Sequence, residues 1–253
     1  KSVPHEKIVK NINPYLVEGN DLVIEKRAKS LCKVNPIKYG SIAIDNGFLI
    51  LNEDEKIDLI KREPLSEKYI FTYGGGAEFI KNIKRYCLWL KDLNPNELKL
   101  MPIVKEKIDS VRDFRFSSDR EATKKLAEYP TLFGEDRQPK NNYILIPKVS
   151  SETRQYIPLG FLNKSHIANG SSMIVENATL FEFGILTSIM HMAWIKYTCG
   201  RMKSDYQYSN TIVYNNYPFP KNVSEKQKKA VEEKAQNVLN IRSQFSDCSL
   251  ADL

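Results

Sequence analysis

The chain has 253 residues, of which 42% are hydrophobic and 10% aromatic. This composition is typical of a folded globular protein and excludes intrinsic disorder. No apolar run reaches the roughly 20 residues that a transmembrane helix needs. Residues 1–10 are charged and lack the apolar core of a signal peptide. We therefore expect a soluble, cytoplasmic protein without a membrane partner.

The net charge of +7 favours an acidic partner, most often nucleic acid. The four cysteines are far apart and form no Cys-x-x-Cys pair, which indicates reduced thiols and argues against a zinc site. The chain starts with Lys rather than Met, and it stops soon after a polar stretch at 246–249 begins. We expect it to be a piece of a longer protein.

An Asn46-Gly47 pair stands between two apolar runs near the start of the chain. Because this dipeptide readily adopts positive φ angles, the pattern predicts a β-hairpin over residues 41–51. Asn52 and Glu55 follow with the spacing of a capping box and predict a helix over 53–62.

The next part of the chain is predicted to be mainly helical. The glycines at 74–76 are typical of a flexible turn, and residues 86–90 of a buried strand. Helices are expected to begin after Asn94 and at Pro102, because proline suits the first helical position. A further short helix is predicted over 119–129, where it ends before a proline.

The second half of the chain begins with β-like patterns and ends with helical ones. Short strands are predicted within 142–175, at 143–146, 155–159 and 172–175. A long buried helix is predicted over 178–200 and a last strand over 211–214. Ser224 with Gln227 then forms a capping box for a helix to about residue 245. These elements predict an α+β fold with a mixed or antiparallel sheet, packed helices and a C-terminal helical segment.

No arrangement of residues supports catalysis or metal binding. His5, His166 and His191 are far apart and lack ligand spacing, and the apolar surroundings of His191 favour a hydrogen-bonded core histidine over a catalytic base. Ser188 and Asp205 lie in no nucleophile-elbow pattern. We therefore predict no catalytic residue and no metal ligand.

Two short phrases superficially suggest cofactor sites. The glycines at 74–76 are not followed by the Lys-Ser or Lys-Thr of a phosphate loop. Asn13-Pro14-Tyr15 lacks the second proline of the Asn-Pro-Pro-Tyr box of amino methyltransferases, and no glycine-rich cofactor strand lies upstream. We reject both and expect no cofactor site in this chain.

Cationic and amide side chains occur among aromatic residues in three groups. Arginine can read guanine, asparagine and glutamine can read adenine, and glutamate can accept from cytosine, whereas lysine and tyrosine more often hold phosphates. A solvated charged face with internal salt bridges is the alternative, because acidic residues interleave with the first group. The groups are Arg112, Arg115, Arg120, Lys124 and Lys125; Arg137, Gln138, Lys140 and Asn142, leading to Lys148, Glu152, Arg154 and Gln155; and Arg201, Lys203, Tyr206, Gln207, Tyr208 and Asn210.

Several ordered phrases carry a family resemblance along nearly the whole chain. They are Gly40-Ser-Ile-Ala-Ile-Asp-Asn-Gly, Arg85-Tyr-Cys-Leu-Trp-Leu, Ser150-Ser-Glu-Thr-Arg-Gln-Tyr-Ile-Pro-Leu-Gly-Phe, Phe183-Gly-Ile-Leu-Thr-Ser-Ile-Met-His-Met-Ala-Trp, Cys199-Gly-Arg-Met-Lys-Ser-Asp-Tyr-Gln-Tyr-Ser and Tyr214-Asn-Asn-Tyr-Pro-Phe-Pro. Together they resemble the C-terminal target recognition region of the MmeI-like (type IIL and IIG) restriction–modification enzymes and related adenine-specific DNA methyltransferases.

The resemblance implies a division of labour within one polypeptide. In that family an adenine methyltransferase domain precedes the target recognition domain, helices follow it, and some members carry an N-terminal nuclease. The methyltransferase domain binds S-adenosylmethionine and acts on an adenine flipped out of the stack. Implied for this chain are a linker from that domain over 1–40, a target recognition domain over 41–220, and a truncated C-terminal helical segment over 221–253.

The resemblance also implies roles for particular residues. Glu152 and Arg154 fall where the family places a base-reading pair, and an extended segment would put both side chains on one face, suited to a C·G pair. An internal Glu–Arg salt bridge is the alternative. The stretch 120–124 resembles a second specificity segment, with Arg120 and Lys124 as its candidates.

Other residues are expected to contact the DNA backbone rather than bases. These candidates are Arg201, Lys203, Tyr206 and Lys148. The first functional hypothesis is therefore sequence-specific recognition of double-stranded DNA within a larger adenine methyltransferase, which would supply the chemistry. The alternative is a protein-interaction or domain-docking module without direct base reading, and a third hypothesis, RNA binding, has no module signature in its favour.

Overall fold

The computed structural model describes residues 6–13, 16, 18–21 and 23–252. Within this part of the chain, the helices are α1 (Glu53–Arg62), α2 (Gly76–Lys81), α3 (Pro95–Leu98), α4 (Pro102–Phe116), α5 (Glu121–Lys125), α6 (Leu180–Leu186), α7 (Ile189–Thr198) and α8 (Glu225–Ser243). Two short 3₁₀ helices cover Pro64–Tyr69 and Leu126–Glu128.

Strands of the same part of the chain are short. They are β1 (Ile37–Tyr39), β2 (Ile50–Leu51), β3 (Ile70–Gly74), β4 (Tyr86–Leu88), β5 (Tyr143–Pro147), β6 (Val149–Ser150), β7 (Gly160–Leu162), β8 (His166–Ala168), β9 (Ser172–Glu176), β10 (Gly200–Met202) and β11 (Asp205–Gln207). They form three sheets with the orders β1-β9-β5-β7, β2-β4-β3-β8 and β10-β11-β6. Helices and mainly antiparallel strands thus make the predicted α+β fold, which is confirmed.

The antiparallel sheet β1-β9-β5-β7 supports the larger of two main cores. All of β5 is buried because both of its faces are covered, as its unbroken apolar sequence indicates. Since side chains alternate along a strand, Ile144 and Ile146 enter the larger core, whereas Tyr143 and Leu145 join a small cluster on the other face. Helices α6 and α7 cover the first of these faces.

The mixed sheet β2-β4-β3-β8 supports the second core, together with α1 and α4. In it β3 pairs with β8 in parallel and with β4 antiparallel. Val104, Ile108 and Val111 of α4 are buried here, as their helical spacing predicts. The carboxylate of Glu63 accepts the backbone N–H of Val104 and so caps the start of α4.

The third sheet, β10-β11-β6, joins two distant parts of the chain. β10 and β11 form a hairpin, and β11 pairs antiparallel with β6. Part of the segment predicted as a linker, residues 1–40, also packs against the elements of the larger core. The Arg27 and Leu31 N–H groups donate to the Thr211 and Asn215 carbonyls, at 2.9 and 2.8 Å, and β1 pairs with β9.

The last long helix, α8, lies against α6. Its capping box, formed by Ser224 and Gln227, is confirmed, although the helix ends two residues before the predicted Phe245. Gly184 makes this close approach possible, since a Cβ atom there would lie 2.7 Å from Cγ1 of Val231. None of the helices in the described ranges is both long and apolar enough to span a bilayer.

The predicted hairpin over 41–51 is wrong, although its turn is correct. Asn46 and Gly47 adopt positive φ angles of 52° and 85°. However, the two flanking runs do not pair with each other. Ser41 forms a bridge with Asn169, and β2 pairs with β4. Pairing with buried segments elsewhere in the chain, rather than the local turn, therefore determines the partners of these two runs.

The glycines at 74–76 form a packed junction rather than a flexible turn. Gly74 ends β3 and Gly76 begins α2. A Cβ atom on Gly75 would lie 2.1 Å from both Oδ1 of Asn169 and Oγ of Ser171. Close packing against the loop before β9, not phosphate binding, explains this glycine.

Three further predictions from apolar runs are wrong. Residues 155–159 form no strand, because Pro158 has no N–H for a ladder. Residues 211–214 belong to a π-helical turn, Asn210–Tyr214, that buries Val213. The predicted helix over 178–200 is two helices, because the Ser188 hydroxyl accepts the N–H of His191 and starts a new one.

Candidate nucleic-acid interface

Most of the predicted DNA contacts lie around the sheet β10-β11-β6. The register pairs Tyr206 with Ser150 and Gln207 with Val149. This brings the residues after β6, with Glu152 and Arg154, beside the β10–β11 hairpin. Residues about fifty positions apart in the chain therefore share one surface, which spacing alone does not reveal.

Arg201 lies opposite Tyr206 across the hairpin. The central carbon of its guanidinium is 3.9 Å from the centre of the tyrosine ring, a cation–π arrangement. Arg201 is exposed, whereas Tyr206 is only 4% exposed and belongs to the larger core. The tyrosine therefore supports the arginine and is too deeply buried for the direct phosphate contact expected of it.

Lys203 and Lys148 lie on either side of this pair. Lys203 occupies the tip of the hairpin, is exposed, and has a φ of 58°. No ion pair of Lys203 is found in the part of the chain that the structure describes. Lys148 is half-buried immediately before β6, with its ammonium 5.5 Å from the centre of the Tyr39 ring. Both charges can reach an anion without giving up an internal carboxylate.

Glu152 and Arg154 do not lie in an extended segment, which corrects the geometric basis of the predicted pair. Residues after β6 form a turn, closed by the Arg154 N–H, which donates to the Ser151 carbonyl at 3.2 Å. Glu152 is exposed and Arg154 half-buried. Between these two described residues there is no ion pair. Instead, Nη1 of Arg154 donates to the Leu250 carbonyl at 3.0 Å.

Arg120 and Lys124 lie elsewhere, at the short helix α5. This helix packs against α4, which contributes to the second core. Arg120 is exposed at the start of α5. The Lys124 ammonium lies 2.9 Å from the Glu121 carboxylate, one helical turn away. The structure therefore places the two predicted specificity segments on different elements, and Lys124 has an internal partner.

Arg115, which the sequence groups with these cations, is a structural residue. Its side chain is fully buried, and its three guanidinium nitrogens donate to the carbonyls of Ala43, Ile44, Leu126, Tyr129 and Leu132 at 2.8 to 3.0 Å. Burial lowers its pKa, and the charge of Asp45 raises it. Arg115 thus holds residues 43 and 44 to the segment after α5, and its side chain is not accessible at the surface.

The first two residues of the second group, Arg137 and Gln138, also have structural roles. Arg137 pairs with Glu135 and donates to the Gly40 carbonyl at 3.2 Å. The Gln138 amide donates to the His166 carbonyl at 2.8 Å and accepts the Ala168 N–H at 3.2 Å, so it acts as a neighbouring strand to β8. Charge and amide content alone do not distinguish such roles from base reading.

His191 is the hydrogen-bonded core histidine that the sequence predicts. Its Nδ1 lies 2.8 Å from the Leu186 carbonyl and its Nε2 lies 3.2 Å from the Tyr208 hydroxyl. Burial lowers the pKa of His191 to about 4, so the ring is neutral at pH 7. Tyr208, from the third basic group, is buried with it.

No described residue is assigned a catalytic or metal-binding role. Ser188 caps α7, so its hydroxyl has a structural role. No group of three His, Cys, Asp or Glu side chains that could hold a metal ion occurs in the described ranges. His5, Pro14 and Tyr15 lie outside the described residues, so the rejected Asn13-Pro14-Tyr15 phrase has no structural test.

The outer face of α7 carries an apolar patch. Ile189, Met190 and Tyr197 are 75%, 68% and 54% exposed. A cavity of about 640 Å³ lies beside them, and Asn13, Gly19, Asn20 and Ile24 supply part of its lining. Exposed apolar side chains that lie side by side are typical of an interaction surface.

Two family models match consecutive parts of the chain. The family model described as "MmeI, target recognition domain" matches residues 18–221, and "MmeI, C-terminal domain" matches residues 223–253. The chain therefore belongs to the MmeI target recognition domain family, and the resemblance predicted from the sequence is confirmed.

Two similar proteins are longer than this chain. The solved structure of the type IIL restriction–modification enzyme MmeI in complex with DNA matches 96% of this chain, with a TM-score of 0.92 and 40% identity. DNA methyltransferase A of Bacillus subtilis (strain 168) is 34% identical over 239 residues, 94% of this chain. This chain spans 32% of the first protein and 27% of the second.

Proposed function

We propose that this chain selects the DNA sequence at which an adenine methyltransferase domain of the same polypeptide acts. The observation that carries the proposal is the shared surface at β10-β11-β6. There Arg201, Lys203 and Lys148 offer positive charge beside the turn that holds Glu152 and Arg154. Cations that position a duplex next to side chains that read bases are the two components of sequence-specific recognition.

Base reading falls to Glu152 and Arg154. The glutamate is exposed and has no internal ion pair among the described residues, so it is free to accept from a cytosine amine. Arg154 uses one of its five N–H donors internally, which leaves others for a guanine edge. Arg120 and Lys124 are proposed as a second, separate specificity segment, in which Lys124 must first leave Glu121.

The phosphate contacts fall to Arg201, Lys203 and Lys148. Tyr206 acts through Arg201, because its ring is buried beneath the guanidinium. We propose that the duplex lies across the hairpin tip, where Lys203 is exposed. Such contacts set affinity and its salt dependence without reading sequence.

The methyl transfer itself belongs to the proposed neighbouring domain. S-adenosylmethionine would bind there, and no residue of this chain is assigned to it. The recognition domain would hold the duplex while the adenine is flipped out of the stack. A cytoplasmic location, with the four cysteines present as free thiols, is part of the same proposal.

The test uses the full-length enzyme with Glu152→Ala or Arg154→Ala, and Glu106→Ala or Lys99→Ala as matched controls from exposed positions elsewhere. Methylation is measured on the cognate site and on sites with one substituted base pair. We expect each of the first two variants to lose about 1–3 kcal/mol of discrimination at one base pair, with the controls unchanged. An equal loss of rate on every site contradicts base reading.

The alternative function, domain docking without base reading, is favoured by the apolar face of α7. Its proposed occupant is the methyltransferase domain, since more than two thirds of the length of both relatives lies outside this chain. The two functions are compatible, and duplex binding separates them. If binding of the full-length enzyme keeps its salt dependence when Arg201, Lys203 and Lys148 are all replaced, docking alone remains.

A further inference from the structure

We infer that the C-terminal segment Phe245–Asp252, which follows α8, positions Arg154 for base reading. The inference rests on the proposed function of Arg154. It assigns to this segment a role in sequence discrimination that goes beyond closing the fold. The contact that motivates it is the bond of 3.0 Å from Nη1 of Arg154 to the Leu250 carbonyl, across 96 residues of sequence.

Arg154 needs such a support because its own turn is short. β6 ends at Ser150, and the turn is closed by one backbone bond and by the Ser151 and Thr153 hydroxyls, 3.0 Å apart. A free arginine side chain samples many rotamers, and ordering it when DNA binds costs conformational entropy. A guanidinium held at one nitrogen before DNA arrives avoids part of that cost.

The Leu250 carbonyl is itself held in place from two sides. The Asp252 carboxylate accepts the Ser249 N–H at 3.0 Å and the Ser249 hydroxyl at 2.6 Å, which closes a turn around Leu250. The Ala251 N–H donates to the Ile80 carbonyl of α2 at 3.0 Å. The acceptor is thus connected to the C-terminal end of α2 as well as to α8.

The helix before this segment reaches the same region. Nη1 of Arg242 donates to the Leu159 carbonyl at 2.7 Å, and its guanidinium lies 5.7 Å from the Phe183 ring centre. Arg242, Leu250 and Arg154 line one cavity of about 360 Å³ together with residues 153–158. The turn after β6 and the C-terminal segment therefore line a common cavity, and the bond from Arg154 to the Leu250 carbonyl joins them.

The test uses the full-length enzyme and compares sites that differ at the base pair read by Arg154. Ala251→Pro removes the N–H that reaches Ile80 and restricts the backbone of Leu250. Asp252→Ala opens the turn more gently. Asp247→Ala is the matched control, because this exposed residue of the same segment bonds only weakly to Ser246, at 3.5 Å.

We expect Ala251→Pro to lower discrimination at that base pair about tenfold and Asp252→Ala about threefold, within the range of one bidentate base contact. Discrimination at other base pairs and the salt slope should stay unchanged. Arg154→Ala combined with Ala251→Pro should lose no more than Arg154→Ala alone, since both act through the same guanidinium. Thermal unfolding of each variant identifies general destabilisation. If Ala251→Pro is destabilised, the discrimination of Asp252→Ala tests the inference.

A failure of the proposed function and a failure of the positioning role give different results. If Arg154→Ala leaves discrimination intact, base reading by Arg154 is wrong and the inference falls with it. If Arg154→Ala relaxes one base pair but neither variant of the segment does, the proposed function stands and the positioning role is overturned. A uniform loss at all base pairs in both segment variants also overturns it, because it indicates a structural role only.

Discussion

The Arg201 guanidinium lies over the ring of Tyr206, 3.9 Å from its centre, and the two residues face each other across the β10–β11 hairpin. The ring is part of the core, and the arginine is exposed. A surface cation is therefore held by an aromatic side chain that cannot move away from it. This arrangement keeps the charge of the proposed interface in place before DNA binds.

Replacing Tyr206 should weaken DNA binding through Arg201. Tyr206→Leu removes the cation–π contact, worth about 0.5–1 kcal/mol at an exposed site, so binding to all duplexes should weaken about two- to fivefold. Tyr206→Phe keeps the ring and should bind as the parent does. Equal weakening in both variants, measured by duplex titration of the full-length enzyme, would assign the effect to the hydroxyl.

Replacing Lys203 should change the salt dependence of binding. Asparagine is the substitution of choice, because the φ of 58° at this position is strained for alanine. With Lys203→Asn, the slope of log K against log salt should fall by about one, equally on cognate and substituted duplexes. An unchanged slope removes Lys203 from the phosphate contacts. Lys99→Asn is the control from a distant exposed position.

Arg115 should matter for stability rather than for DNA. Arg115→Lys supplies three donors in a different geometry and leaves buried carbonyls unpaired, at about 1–3 kcal/mol each. We expect a loss of about 3–5 kcal/mol in the free energy of unfolding, measured in urea. Arg112→Lys should stay within about 0.5 kcal/mol, because Arg112 is exposed and pairs only at the surface with Asp109. Similar losses in both variants would contradict the bracing role.

The buried His191 should make the protein less stable as the pH falls. An unfolded histidine takes up its proton near pH 6.5, whereas folded His191 resists until about pH 4. The unfolded chain therefore binds more protons in this window, and up to about 3 kcal/mol of stability is lost between pH 6.5 and 4. His191→Gln should flatten the dependence, and His166, whose pKa burial also lowers, should contribute to what remains. If the free energy of unfolding changes equally with pH in the parent and in His191→Gln, the assignment to His191 is contradicted.

The contact between α6 and α8 should not tolerate a side chain at Gly184. In Gly184→Ala the new methyl meets Cγ1 of Val231 at 2.7 Å, so we expect about 1–3 kcal/mol of destabilisation. Val231→Ala removes that methyl and should recover part of the loss. A double-mutant cycle measures the coupling. Additive effects of the two substitutions would indicate that α8 does not pack here in solution.

Two helix starts were predictable because their causes are local. Asn52 with Glu55 and Ser224 with Gln227 form capping boxes within four residues, and both are present in the structure. His191 was also assigned correctly, since apolar neighbours on one helix indicate a buried ring. The turn at Asn46 and Gly47 was also predicted correctly, since both residues adopt positive φ angles.

Two of the errors have a common physical origin. The runs around Asn46-Gly47 pair with distant strands, and residues 211–214 coil into a π-turn to bury Val213 and Tyr214. Both outcomes depend on which surfaces the rest of the chain offers. Among the site residues, the extended arrangement of Glu152 and Arg154 was wrong, because a turn follows β6. The Arg201–Tyr206 pair could have been found by pairing residues across a two-residue turn.

From residue order alone came the α+β class, the capped helices and the family, since propensity, capping and ordered phrases are all properties of neighbouring residues. Tertiary structure decided which cations are buried and which are exposed. Arg115 and Arg201 have the same side chain, yet one satisfies five internal carbonyls and the other lies at the surface. The bond between Arg154 and the Leu250 carbonyl belongs to the same category. A backbone acceptor carries no sequence signature, so only folding brings it to its donor.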